Sequence, residues 1–438
     1  MSTAAQTQIL GFPQALRVVL DHAAAVHVPG AEEVALLDSA GRVLAESLIA
    51  DRDQPPFDRA TRDGFAVRAK EWAGGRKLRV AGQIRAGEAW SGGKMRSGTA
   101  IEIMTGAPVP RGADAVVMVE HVDRARHRSG KERILAAAAR TIKAGDNIVG
   151  RASQARGGEL LLPAGTAMAA AEIALAASCG RARLAVRERP NIAIVATGDE
   201  LVELKGRPSP DQIYNSNSYA LAAMVAAAGG QPLRLKIARD TRKDLRKRIA
   251  KGRVSDLLLL SGGVSAGRYD LVEDVLAEFG AEFLFTGVLM QPGKPLVFGR
   301  LPRLPLTKSE TVPDSAGTLS GAGGGQAWTY FFGLPGNPVS TQVTFHCFVE
   351  PMLRALCGAG VAGPKFVQAT LAGDIPGKPG LTRLLPARLT ADLERPLVRL
   401  VDWQGSGDLS ANARANCYAV LPDGRDLKSG DAIAVLLR

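Results

Sequence analysis

Between residues 190 and 361 short apolar runs alternate with stretches of helical spacing, and this alternation limits the fold more than any other feature of the chain. NIAIVATG reads as a strand and turn, and SYALAAMVAAAGG as a helix capped by Asn217 or Ser218 and stopped by Gly229-Gly230. PLRLKIARD and DLLLLSGG read as strands, with DLRKRIAKG between them as a helix. YDLVEDVLAEFG reads as a further helix and EFLFTGVLM as a single strand. Strands and helices alternating at these lengths make βαβ units, and the expected fold class is a multidomain α/β plus β protein with a central, mostly parallel sheet.

The flanking regions have a different texture. Residues 12–28 predict an amphipathic helix closed by Pro29-Gly30, followed by a hairpin-like signal at Ala40-Gly41-Arg42. From Asp51 to about Gly158, short alternating runs broken by Gly and Pro predict an all-β module. An Ala-rich helix is expected at 169–178. Residues 301–328, rich in Gly, Ser, Thr and Pro, read as a flexible insertion between two strands. After Gly363 five short strands predict a small closed or half-closed β-barrel.

Composition narrows the function classes. The 438 residues are 46% hydrophobic and 22% charged, which suits several buried cores without staples. The four cysteines, Cys179, Cys347, Cys357 and Cys417, form no C-x-x-C pair. Cys347 and Cys357 on one helix would stand about 15 Å apart, beyond bridging distance. A disulfide framework and structural zinc are not expected, and the usage suits a reducing cytosol. The first ten residues lack the cationic start and apolar run of a signal peptide, and no stretch nears the roughly 18 apolar residues of a membrane span, so a cytoplasmic chain is expected. The net charge of +12 favours anionic partners. Its cations are scattered, aromatics are 5%, and the cluster Arg242-Lys243 to Arg248 follows helical spacing, so nucleic acid is not the expected partner.

In an open parallel sheet, ligands bind beyond the carboxyl ends of the strands, so the loops that follow strands carry the chemistry. Those loops are Thr197–Glu200, Arg239-Asp240, Ser261–Gly267, Gln291–Pro295 and Leu334–Ser340. Ser261-Gly262-Gly263-Val264-Ser265 has the backbone freedom to turn N–H groups toward a phosphate, though it also suits an ordinary tight turn, and it is not a Walker loop. Asn337-Pro338 has the form of a helix start, with Asn at the N-cap and Pro at N1. Glu200, Asp240 and Asp270 would meet above the sheet if their strands are neighbours, which suits Mg²⁺ bound with phosphate oxygens; capping of the following helices is the alternative for the two aspartates. Lys294, held between Gly293 and Pro295, is positioned to meet an anion. The dense turns at 55–66 and 104–110 in the β module are by themselves readable as structural.

Taken together, PPFDRATRDGFAVRA (55–69), IMTGAPVPRGADAVV (103–117), ATGDEL (196–201), YNSNSYAL (214–221), SGGVSAGRYD (261–270), MQPGKP (290–295) and GLPGNPVS (333–340) resemble the molybdopterin molybdenumtransferase family, and they occur in the family's order. The resemblance implies an elongated homodimer of four-domain subunits: 8–50 with 152–188 as an N-terminal linker domain, 51–151 as an inserted β module, 189–361 as the molybdopterin-binding α/β domain and 362–438 as the barrel. It implies a substrate, adenylylated molybdopterin, that receives molybdenum from molybdate with Mg²⁺ and releases AMP. The family's active site lies between the α/β domain of one subunit and the β module of the other. Carried over by motif, Asp63 and Thr105 belong at the metal-transfer end. Glu200, Asp240 and Asp270 handle Mg²⁺ and the pyrophosphate, and Lys294 neutralises developing charge. Ser261, Gly262, Gly263 and Ser265 contact the substrate phosphate and adenylate together with Pro335, Gly336, Asn337, Pro338 and Ser340, while Ser410 lines the cleft from the barrel. The adenylyltransferase that makes the substrate and the molybdoenzymes that accept the product are implied as partners; neither nucleic acid nor a membrane is.

The chain departs from the family in three places. Ala152-Ser153-Gln154-Ala155 stands where Gly-Glu-Asp-Ile is usual, so Gln154 replaces a carboxylate; Arg62 stands where methionine is usual; and 301–328 is longer than the family's connection. Three other readings stay open: the sister adenylyltransferase, which lacks the β module and barrel; a tungstate-specific paralogue; and a non-catalytic scaffold, since the homologous domain of gephyrin also anchors receptors.

Overall fold

The computed structural model describes residues 8–73, 75–126, 132–137, 141–263, 271–303, 328–390 and 395–438. The chain divides into two compact units, one of residues 1–45, 165–169 and 183–438, the other of 46–164 and 170–182.

The first unit is built on a six-stranded sheet. Its strands are β1 (Asn191–Ala196), β2 (Gln231–Arg234), β3 (Leu257–Ser261), β4 (Glu282–Phe285), β5 (Val297–Pro302) and β6 (Trp328–Leu334), in the order β2-β1-β3-β6-β5-β4. The first four in that order run parallel; β5 runs antiparallel to both of its neighbours, β6 and β4, so β4 points the same way as the first four. Strand period sorts the side chains to two faces. Ile192, Ile194, Leu257, Leu259 and Phe332 pack with Leu221 and Val225 of helix α1 (Asn217–Ala227). Ala193, Val195, Leu258, Leu260 and Phe331 pack with Leu245 and Ile249 of α2 (Arg242–Gly252) and Val275 of α3 (Leu271–Glu278). A sheet buried on both faces needs the continuous apolar runs seen in the sequence.

Several expectations need correction. EFLFTGVLM is two strands, not one. Glu282–Phe285 pairs within the α/β sheet, but Gly287–Gln291 pairs with Ile9–Gly11 and Thr382–Thr390. The break falls at Thr286, whose N–H donates to the Gln8 carbonyl at 3.0 Å and whose hydroxyl accepts from the Gln8 N–H at 3.1 Å. The helix expected over 12–28 ends at Ala23, because Val26, Val28 and Pro29 favour extended backbone. No hairpin forms at Ala40-Gly41-Arg42. Gly41, at φ +70°, ends a 3₁₀ turn, and Ala31–Ala35 pairs instead with the distant Arg183–Arg187. The cationic face of α2 is partly ion-paired: Arg242 and Arg246 both meet Glu278 of α3.

The C-terminal strands Phe366–Leu371, Thr382–Thr390, Leu397–Leu400, Cys417–Leu421 and Ala432–Leu437 close on one another, since Thr382–Thr390 pairs with both Leu397–Leu400 and Cys417–Leu421. Leu385, Val398, Ala419 and Val435 fill the interior of this small barrel. A short helix, Leu409–Arg414, was not foreseen; Asp408 caps it by accepting from the Ala411 N–H at 2.9 Å.

The second unit centres on a six-stranded sheet in the order Ala115–Met118, Gly64–Val67, Thr99–Ile103, Leu78–Ile84, Glu132–Ala136, Val122–Arg126. Phe65 and Val67 face one core and Ala66 another. Gly64 lies so close to the next strand that a Cβ there would stand 1.8 Å from the Val117 carbonyl oxygen. The unit is not purely β: it holds a short helix, Ala69–Ala73, whose Trp72 enters the core, and the expected helix at Ala170–Ser178. All four cysteines are buried and free. Among the described residues no helix is long and apolar enough to cross a membrane.

Phe332 is fully buried and stacks on Phe298 at a centroid distance of 4.6 Å. Phe332→Ala is expected to lower the stability of the first unit by about 3–5 kcal/mol in urea denaturation, and a loss below about 1 kcal/mol would show that the stack is not part of its core.

Candidate functional site

From β1 the chain crosses through α1 to β2 on one side, then returns through α2 to β3 on the other. The connections leave β1 and β3 in opposite directions, and the divergence opens a crevice at their carboxyl ends. Backbone bonds join the strand ends that border it. The Thr197 N–H donates to the Ser261 carbonyl at 2.9 Å, and the Gly262 N–H to the Leu334 carbonyl at 3.2 Å. This close approach requires glycine. Gly262 and Gly263 have φ of +91° and +68°, and a Cβ on either would stand 2.6 Å from an oxygen of Thr197.

The crevice is about 1160 Å³, large enough for a nucleotide-sized ligand. Ser261, Gly262, Gly263, Pro335, Gly336, Asn337, Pro338 and Ser340 line it, together with Glu200 and Lys294. Both of these charged residues are exposed, and neither has an ion-pair partner among the described residues. Lys294 reaches the crevice from outside the α/β sheet, because its loop follows the Gly287–Gln291 strand; the Gln291–Pro292 peptide is cis.

Other expected residues fall elsewhere. Asp240 does not line the crevice; its N–H lies 3.4 Å from Asp199 Oδ1. Nor does it cap α2, whose N-cap is Thr241, with the hydroxyl accepting from the Asp244 N–H at 3.3 Å. Ser410 also lies off the lining. Its hydroxyl accepts from Arg414 at 3.0 Å, because the helix after Asp408 turns it away, and the barrel is represented in the crevice by Trp403, Gly405, Ser406, Gly407 and Leu409. Asp270 and Ser265 lie outside the described residues, as does all of the insertion except its ends at 301–303 and 328. No cluster of three or more metal-ligating side chains occurs among the described residues.

Two asparagines that look like helix caps in the sequence do other work. Asn217 begins α1, but its amide donates to Ser261 Oγ at 3.0 Å and to the Gly336 carbonyl at 2.7 Å, joining two loops of the crevice floor. Asn337 occupies the N-cap of helix α4 (Pro338–Thr344), yet its side chain accepts no capping bond. Its amide donates instead to Ser406 Oγ at 2.8 Å, and the Ser406 carbonyl accepts from the Val339 N–H at 3.0 Å, attaching the barrel loop to the crevice. Asn217 sits in the YNSNSYAL segment and was legible there as part of a motif; nothing in the sequence singles out Ser406.

In the second unit, Asp63 and Thr105 come together across 42 positions. Asp63 Oδ1 accepts from the Thr105 N–H at 2.6 Å and from its hydroxyl at 2.8 Å. Those bonds, backbone first, hold the Asp63 carboxyl below the usual carboxylate range. Near Gln154, the carboxylates of Asp53 and Asp58 are both engaged by Arg151, at 2.7 Å each.

A glycine-floored crevice at the switch point of an α/β sheet, lined by a lysine and a carboxylate with no ion-pair partner among the described residues, is the ligand-site geometry of the α/β small-molecule-binding class. Known families cover almost the whole chain: the MoeA N-terminal region (domain I and II) over residues 10–180, a probable molybdopterin binding domain over 193–355 and the MoeA C-terminal region (domain IV) over 368–437. Similar proteins include the molybdopterin molybdenumtransferase of Nostoc, 34% identical over 92% of this chain and 88% of its own, and that of Bacillus subtilis, 33% identical over 93% and 89%. The crystal structure of a molybdopterin biosynthesis MoeA protein from Pyrococcus horikoshii superposes with a TM-score of 0.73 at 26% identity, covering 98% of this chain and all of the other. The chain belongs to the molybdopterin molybdenumtransferase family and is a transferase.

Asn217→Ala removes two donors from the crevice floor and is expected to cost about 1–3 kcal/mol in chemical denaturation, whereas a neutral change would mean the loops hold without it. For Asp63, a folded-state pKa below the unfolded one means that the Thr105 bonds favour the fold above the unfolded pKa and are lost as pH falls through the folded value. Thr105→Val keeps the backbone donor and removes the hydroxyl. The carboxyl carbon of Asp63, followed by NMR, is then expected to titrate at higher pH than in the parent; an unmoved titration would mean the hydroxyl bond is not formed in solution.

Proposed function

We propose that this chain inserts molybdenum from molybdate into adenylylated molybdopterin in a Mg²⁺-dependent reaction that releases AMP and the finished molybdenum cofactor. The observation that carries this reading is that Lys294, without an ion-pair partner among the described residues, lines the same glycine-floored crevice as Glu200. Opening a phosphoanhydride requires positioning and charge stabilisation more than a covalent nucleophile. Lys294 offsets charge that builds on the phosphate oxygens. The glycine turns and the Ser261 and Ser340 hydroxyls orient the phosphates and adenylate, and the apolar face of Trp403 suits a flat ring.

Mg²⁺ fits the residues present, since that ion commonly takes one or two carboxylates and completes its shell with phosphate oxygens and water. Glu200 would hold it, with Asp270 of the SGGVSAGRYD segment as a further carried-over ligand, and the bound ion would neutralise the pyrophosphate; Asp240, off the crevice lining, is not among its holders. The Asp63–Thr105 pair is assigned to the metal-transfer end, where a carboxylate kept ionised accepts hydrogen bonds from the incoming oxyanion's water. The reading includes a homodimer of four-domain subunits, with that pair supplied to the crevice by a second copy of the chain.

Purified protein given adenylylated molybdopterin, Mg²⁺ and molybdate is expected to release AMP. Glu200→Gln and Asp63→Asn should each lower the rate at least ~100-fold with folding intact, as loss of a charge that acts only in the transition state does. Mixing the two variants should restore part of the activity. Release that survives both changes would refute the site assignment, and mixtures that stay inactive would refute the shared site. Replacing molybdate by tungstate in the same assay decides between the two oxyanions.

A further inference from the structure

On the outer flank of the α/β sheet, beside its edge strand β2, lies a second cavity of about 610 Å³. It is separate from the catalytic crevice, with Leu201 lining both. Four cations line it, Arg234, Lys236, Arg239 and Arg248, against two carboxylates, Glu203 and Asp244. The carboxylates are already committed. Glu203 pairs with Arg234 at 3.0 Å, and Asp244 meets Arg248 at 3.4 Å while accepting from the Arg239 N–H at 2.9 Å. Among the described residues that leaves Lys236 without an ion-pair partner and the Arg239 guanidinium with one hydrogen bond, to the Asp199 carbonyl at 3.0 Å.

Two further observations separate this cavity from an ordinary basic surface. Arg234 is held rigid, with its guanidinium 3.5 Å from the centre of the Tyr219 ring and bonded to both Ser218 and Glu203. Arg248 is largely buried, and its Nε has no hydrogen-bond partner among the described residues. Buried donors in folded proteins are normally satisfied, and a buried guanidinium beside two uncompensated cations is satisfied best by an anion. The remaining lining, Leu235, Ile237 and Val202, is apolar.

We propose that this cavity is a second anion site, taking a tetrahedral dianion, either free or as the terminal group of a small phosphate monoester. Two uncompensated positive charges match a dianion, and the cavity is wide enough for an organic body attached to it.

Calorimetric titration at physiological ionic strength tests this, using inorganic phosphate, molybdate and AMP as three separate probes. Parent protein is expected to bind at least one of them saturably, and Lys236→Glu to weaken that binding at least ~10-fold, as reversal of a charge beside a desolvated anion does. Lys378→Glu makes the same change in net charge at an exposed position outside both cavities and should leave binding as it was. Lys294→Ala, in the catalytic crevice, should leave the Lys236-dependent part of the binding unchanged. Strongest binding of phosphate or molybdate would identify a free oxyanion, and of AMP a monoester. Absence of saturable binding, equal binding by parent and Lys236→Glu, or equal losses in Lys236→Glu and Lys378→Glu would each overturn the proposal. None of these outcomes bears on AMP release, so it fails independently of the catalytic reading.

Discussion

The contact on which the crevice depends is the one between the end of β1 and the turn after β3, where Thr197 meets Gly262 and Gly263. The Thr197 N–H bonds to Ser261, and the two glycines approach its oxygens more closely than any side-chain-bearing residue could. The Thr197 hydroxyl is buried with no hydrogen-bond partner among the described residues, and the contacts seen at the junction are backbone bonds and packing. Were either glycine to carry a Cβ, β1 and β3 would have to separate at the point where the crossovers diverge, and the floor of the cavity would go with them.

Around that junction the walls are contributed by parts of the chain with little else in common. The Gly333–Ser340 segment enters from β6, Lys294 from a strand that belongs to the barrel-side sheet, and Trp403 to Leu409 from the barrel itself. Asn217 and Asn337 link these pieces with their amides, one joining Ser261 to Gly336 and the other reaching Ser406. An asparagine is suited to this because its amide donates without carrying a charge, so it can sit beside a phosphate-binding surface without competing for the anion. The cationic and anionic side chains, Lys294 and Glu200, have no ion-pair partner among the described residues, which is the state in which each can exchange water for ligand at least cost.

The Asp63–Thr105 pair follows a different logic. Its carboxylate is exposed and is kept ionised by two donors from one residue, so its charge is set locally. The pair therefore needs no burial to stay charged, in contrast to Arg248 on the sheet flank, whose guanidinium is largely buried and incompletely bonded.

Much of this was legible in the residues alone. The apolar runs of β1, β3 and β6, the helical spacing of α1 to α3, the five C-terminal strands and the glycine turns all follow from local rules: side-chain period, β-branching and φ freedom. The seven ordered motifs led to the family. Long-range pairing was not legible, because a strand's apolar pattern does not name its partner. So EFLFTGVLM, apolar but for Glu282, Thr286 and a glycine, could not show that Thr286 divides it between two sheets, and Ala31–Ala35 gave no sign of its pairing with Arg183–Arg187. For the same reason an asparagine beside a helix start reads as a cap until the opposing loop is in place, and neither Ser406 nor the off-crevice positions of Asp240 and Ser410 could be read in one dimension. Local chemistry decided which elements form and which turns need glycine; only the tertiary fold decided which loops share a cavity, since that depends on contacts between segments far apart in the chain.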